Sequence, residues 1–110
     1  DFAKRYILAG GNISVEQISS VVPDGYILEQ NYPNPFNPKT IINYSIPKSN
    51  NVSLVVFDAL GREVITLVND FQTAGSYKIS FDGSGLSSGI YFYKIVSAGF
   101  METKRMILIK

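Results

Sequence analysis

From Thr40 onward, apolar and polar residues alternate along the chain. Ile42, Tyr44 and Ile46 are separated by Asn43 and Ser45, and Val52, Leu54 and Val56 form one face of the next run, which ends at Asp58. Tyr77, Ile79 and Phe81 are separated in the same way by Lys78 and Ser80. A period of two is the signature of a half-buried strand. Ile90-Tyr91-Phe92-Tyr93 is apolar on both faces, as a central strand would be. Phe100 to Ile109 reads as a long closing strand whose inward face the pattern leaves open. No segment carries a 3.6-residue stripe, so no helix is expected. Turn residues interrupt the runs about every eight to twelve positions, which predicts an all-β antiparallel sandwich or barrel.

The interruptions have their own chemistry. Asp58-Ala59-Leu60-Gly61 predicts a type I turn with Gly61 at positive φ, because Asp favours the first place and glycine adopts that backbone cheaply. Asn69-Asp70, Asp82-Gly83-Ser84-Gly85 and Ser97-Ala98-Gly99 read as further reversals, and Pro47 to Asn51 as a polar loop. Before this region the pattern weakens. Phe2 to Ala9 reads as the last strand of whatever precedes, broken by Gly10-Gly11-Asn12. Ile13 to Gly25 mixes β-branched residues with Ser and Gln, and is taken as a linker. Residues 1–25 are therefore assigned to the end of a preceding region and its linker, and residues 26–110 to one domain.

Leu28 to Pro38 reads LEQNYPNPFNP. Its prolines fix φ and remove backbone donors, so the segment is unsuited to a central strand. Asn34 and Asn37 precede Pro35 and Pro38, which pushes them toward extended geometry and leaves their side chains to cap local turns. Phe36 is the large apolar residue inside this stiff frame, and is expected to plug the end of the core while the prolines stay at the surface.

Composition narrows the chemistry. The chain has 110 residues, 45% of them hydrophobic, with seven Tyr and seven Phe, enough for a real core. Ten basic residues against nine acidic give a net charge of +1, which offers nucleic acid no basic field. No apolar run approaches the roughly 18–20 residues that span a membrane, so no membrane insertion is expected. The start carries no signal-peptide pattern and reads as part of a larger protein. Cys and His are both absent, which removes disulfides, thiolate metal sites and imidazole chemistry. No catalytic residues are expected.

The ordered blocks resemble a known family. QNYPNPFNP, then Thr40 to Pro47, Val52 to Asp58, Gly61-Arg62-Glu63-Val64, Thr66-Leu67-Val68, Ala74-Gly75, Phe81-Asp82-Gly83, Ser88 to Tyr93 and Thr103 to Lys110 follow the order and spacing of the type A C-terminal sorting domain of the type IX secretion system. The resemblance covers about Tyr26 to Lys110. It implies an Ig-like antiparallel β-sandwich of about seven strands at the end of a larger cargo. Such a cargo is exported across the outer membrane to the cell surface or medium after transit through the periplasm. It also implies three partners: the outer-membrane translocon, its shuttle protein and a sortase, and the polar, Ser-rich Ile13–Gly25 linker is where any sortase cut is expected. The family's Gly-x-Tyr element falls on Gly89 and Tyr91, and its terminal basic element on Lys104 and Lys110. The Ig-like domain of flagellar hook-capping proteins shares the Asp-x-x-Gly-Arg and Phe-Asp-Gly blocks, so a structural or adhesive surface module is the alternative.

Each candidate site has a plain reading beside it. Asp58, Asp70 and Asp82 would fall at strand ends, where clustered carboxylates can hold Ca²⁺. Each also fits a turn unaided, and neither a metal nor a cofactor is expected. Tyr91 and Tyr93 share one strand face and read first as core, with the Gly89-Ile90-Tyr91 corner as a recognition element second. Lys104, Arg105 and Lys110 read as a solvated edge guarded by charge, or as a docking rail for strand addition.

Overall fold

The computed structural model describes residues 3–8 and 11–110, with side chains from Val15 onward. Nine strands run in chain order: β1 (Ala3–Leu8), β2 (Gly11–Ser19), β3 (Ile27–Leu28), β4 (Lys39–Ile46), β5 (Asn50–Asp58), β6 (Glu63–Gln72), β7 (Gly75–Asp82), β8 (Gly89–Ser97) and β9 (Phe100–Leu108). They form a five-stranded sheet, β1-β2-β7-β4-β3, and a four-stranded sheet, β6-β5-β8-β9. Every strand pairing is antiparallel. The all-β expectation holds, and no helix occurs among the described residues. Seven strands lie between Ile27 and Leu108, as expected, and two more precede them.

The alternation explains the layering. Ile42, Tyr44 and Ile46 of β4 and Tyr77, Ile79 and Phe81 of β7 face Val52, Leu54 and Val56 of β5 and Tyr91, Tyr93 and Ile95 of β8 across one core. Tyr44 stacks on Tyr77, with ring centroids 5.4 Å apart. At 25 cal/mol per Å², each such aliphatic side chain contributes about 2 kcal/mol. Met106 and Leu108 extend the core onto β9, so the inward face of β9 is the even-numbered one.

Two expectations fail. Ile13 to Gly25 is not linker throughout. β2 runs to Ser19 and pairs with β7 from Ile13↔Phe81 to Ser19↔Ser76, burying Val15. Gly75 makes this approach possible, because a Cβ there would lie 2.4 Å from the Ser19 carbonyl oxygen. β1 pairs with β2 in the same sheet, while Phe2, Ala9 and Gly10 lie outside the described residues. Of the expected linker, only Ser20 to Gly25 lies outside a strand.

Asn69-Asp70 is also not a reversal, because β6 continues to Gln72. Register shifts against β5 insert an extra residue near Leu67 and another near Val64. The first bulge turns both Leu67 and Val68 inward, so no alternation survives in the sequence.

The other turns follow their chemistry. Gly61 has φ 84° and donates its N–H to the Asp58 carbonyl, while the Asp58 carboxylate accepts from the backbone of Leu60 and Arg62. Ala98 and Gly99, at φ 48° and 86°, form the two-residue loop that closes β8 on β9.

Candidate functional site

The proline-rich block is bolted to the edge of β9. The Phe36 N–H donates to the Ile107 carbonyl, and the Ile109 N–H donates to the Phe36 carbonyl, both at 2.9 Å. The Ile107 N–H donates to the Asn34 side-chain oxygen at 3.0 Å, and Gln30 Nε2 donates to the Arg105 carbonyl at 2.6 Å. Residues 30–36 thus act as a short parallel strap along the C-terminal half of β9. The Phe36 ring, 1% exposed, fills the sandwich end 6.2 Å from Phe81. Pro33 and Pro35 are exposed as expected, Pro38 is half-buried, and Asn37 is exposed. The Tyr32–Pro33, Asn34–Pro35 and Asn37–Pro38 peptide bonds are cis.

Asn31, which sequence reasoning passed over, and Tyr93, which it read only as core, hold this strap. Asn31 is 2% exposed and donates to the Pro33 carbonyl and to Thr40 Oγ1. Tyr93 is fully buried. Its hydroxyl accepts from the Asn31 N–H at 2.8 Å and donates to the Glu29 carbonyl at 2.7 Å. Burial disfavours the phenolate and pushes the Tyr93 pKa up to about 12. No local pattern marks a polar hub of this kind, although each buried group in it is paired, as buried polar groups must be.

The Gly89–Tyr91 corner sits on the other side of the same strand end. Gly89 pairs with Leu108, which also bridges to Phe36. Tyr91 is 7% exposed, and its hydroxyl donates to the Ser87 carbonyl at 2.7 Å. It is a core tether, so Ile90 rather than Tyr91 meets solvent. The Asp58–Arg62 turn lies alongside, and together the two motifs line a shallow notch of about 200 Å³. Arg62 Nε donates to Asp58 at 2.8 Å. Hydrogen bonds from the Arg62 backbone and side chain hold the Asp58 carboxyl below its usual range. Lys110 Nζ donates to the Ser84 carbonyl and its backbone N–H to Ser88 Oγ. The structure therefore gathers Asn34, Pro35, Phe36, Gly61, Gly89, Tyr91 and Lys110 at one end of the sandwich.

Lys104 and Arg105 stand apart from that end. Lys104 is not simply solvated: it lies on the inward face of β9, half-buried, 3.3 Å from Glu102. Arg105 points outward and is exposed. An inward charge at an edge opposes further strand pairing. Asp58 and Asp82 cap their own turns, and the Ser84 hydroxyl and backbone lower the Asp82 pKa. Asp70 falls inside β6 instead of at a strand end. Among the described residues, no group of three His, Cys, Asp or Glu is placed to hold a metal ion.

This arrangement defines a class: a two-sheet β-domain whose proline-rich strap is locked against its terminal strand. The family model for the secretion system C-terminal sorting domain matches residues 30–110, and the chain belongs to that family. It is a sorting signal of type IX secretion, directing a larger protein across the outer membrane to the surface or medium. No curated protein matches the chain. A solved structure of PorZ, described as an essential bacterial surface component of the type-IX secretion system of Porphyromonas gingivalis, is similar in fold. The TM-score is 0.53 with 20% identity, over 79% of this chain and 12% of that one. The chain thus spans about 12% of the length of this structural relative.

Proposed function

We propose that the strap-and-strand end is the mark read during export, by an outer-membrane translocon and a shuttle protein, once the cargo has reached the periplasm. The observation that carries this reading is the convergence of the proline block, the Gly89–Tyr91 corner, the Gly61 turn and Lys110 around the end of β9. Sequence-distant motifs that fold onto one end compose a single rigid surface suited to recognition.

The domain itself is non-catalytic. The absence of His and Cys supports this, since the common nucleophile–base pairs cannot be built. Sortase removal would cut between Ser20 and Gly25. That segment leaves β2 without entering another strand, and most of its residues, including Val21 and Val22, are exposed.

The test is a fluorescent passenger carrying a periplasmic signal peptide, fused to residues 11–110 or 26–110, in cells with and without a working translocon. Export that requires the translocon is expected for the longer fusion. The shorter one leaves the β7 edge bare and should be exported less efficiently. Equal surface signal in both cell types would refute the reading. Deleting β9 is a poor control, because Met106 and Leu108 belong to the core.

A further inference from the structure

The two outer faces of the sandwich differ. On the five-stranded sheet, β4 and β7 present Lys39, Asn43, Ser45, Lys78 and Ser80 to solvent, and the exposed apolar residues Ile27, Tyr32 and Ile41 gather toward its β3 edge. Lys78 pairs with Glu16 at 3.6 Å. The middle of this face is polar, with its charges of both signs paired.

The four-stranded sheet is built otherwise. Its register sets Phe57 beside Phe92, Val96 beside Met101 and Ile90 beside Ile107, all on the outer side. Ile90 and Met101 are 42% and 60% exposed, and the other four are half-buried. Lys94 and Arg105 rise from the same face. The outward positions of β8 and β9 hold no acid, and Glu63 stands opposite Phe57 at the far β6 rim.

Docking by strand addition is poorly supported at β9. Residues 30–36 already occupy the outward backbone groups of Arg105, Ile107 and Ile109. The remaining half carries the inward Lys104–Glu102 pair, and Phe100 stacks on Tyr26 at 4.7 Å. At the opposite edge, β6 is bulged. A partner therefore meets faces more readily than edges, and one face is apolar with two cations set in it.

We infer that the outer face of β5, β8 and β9 is the surface on which the domain docks to its export partner, a folded protein presenting an apolar patch that carries carboxylates. This rests on the sorting reading above. Phe92 is the central aromatic anchor and Arg105 the cation that meets the partner's carboxylate, both residue types enriched at protein interfaces. The notch at Ile90 continues the face toward the strap-and-strand end.

The test uses the full chain as the export fusion, in the parent and in Phe92→Asn, Arg105→Glu and Ile41→Asn forms. Urea midpoints of the purified chains verify folding. Export should fall about tenfold or more for Arg105→Glu and Phe92→Asn and stay at the parent level for Ile41→Asn, with the Arg105→Glu midpoint unchanged. Parent-level export of both face variants overturns the docking face while leaving the sorting reading intact. An equal loss in Ile41→Asn overturns it as well, because the effect is then not specific to this face. Failure of the parent itself to be exported overturns both readings. Sedimentation gives a last check: a parent dimer abolished by Phe92→Asn would reassign the face to a second copy of the chain.

Discussion

Truncating Phe36 to alanine tests the strap most directly. The ring is 1% exposed and lies 6.2 Å from Phe81, and its own backbone is bonded on both sides to β9. Removing a fully buried phenyl group costs about 3–5 kcal/mol, the transfer of the lost atoms plus the cavity they leave. The surroundings can collapse little, because the Pro35 and Pro38 frame is stiff and Phe81 is held in the β7 ladder. For a domain of this size the loss lowers the thermal midpoint by roughly 15–30 °C. In urea it moves the midpoint by roughly 2 M at unchanged slope. Phe36→Leu should recover most of the deficit, since a leucine fills much of the site, and Pro35→Ala at the exposed neighbour should cost under about 1 kcal/mol. The assay is equilibrium urea denaturation followed by tyrosine fluorescence and far-UV circular dichroism. A Phe36→Ala midpoint within error of the parent would show that the ring contributes no core packing, and the strap would have to be held by its backbone bonds alone.

Gly61→Val should lower stability by about 1–3 kcal/mol, because φ of 84° is hostile to a β-branched residue; an unchanged thermal midpoint would contradict the turn assignment. Gly75→Ala should loosen β2 from β7 through the Ser19 carbonyl, and hydrogen exchange in β2 that matches the parent would refute this. Tyr93 is raised from 10.0 to about 12, so its stabilising effect is complete below about pH 10 and disappears as pH climbs through about 12. The linked loss is about 2–3 kcal/mol. Tyr93→Phe should flatten that alkaline limb while lowering stability at neutral pH, as measured by urea midpoints at pH 8 and 11.5. Limited proteolysis should cut first within Ser20 to Gly25, and early cleavage within Gly11–Ser19 would argue against β2 as an integral strand.

What the sequence disclosed depended on whether a segment has one buried face. β4, β5 and β7 alternate cleanly because one side packs on the core and the other is wet, so their strands were legible. β2 has Val15 as its one fully buried side chain among those described and otherwise carries Ser, Glu and Gln, which reads as linker until Gly75 admits it to the sheet. β6 was misread at Asn69-Asp70 because a bulge had already broken its alternation at Leu67 and Val68. The burial of Phe36 followed from its place among prolines. The hub of Asn31 and Tyr93 did not, since its bonds span 62 and 64 positions and leave no local trace. For the same reason the inward turn of Lys104 becomes visible only once β9 is paired with β8.

The bond from Ile107 to Asn34 joins positions 73 apart. Contacts of such separation close long loops and cannot form before both partners exist. During synthesis the proline block leaves the ribosome early, yet Phe36 has no Ile107 carbonyl to bind and no Leu108 to rest against until β9 has been made. A copy broken off in β8 keeps every proline of the block but never assembles the end on which the motifs meet. On the proposed reading the mark is then present only on chains completed through β9, and folding withholds it from shorter ones.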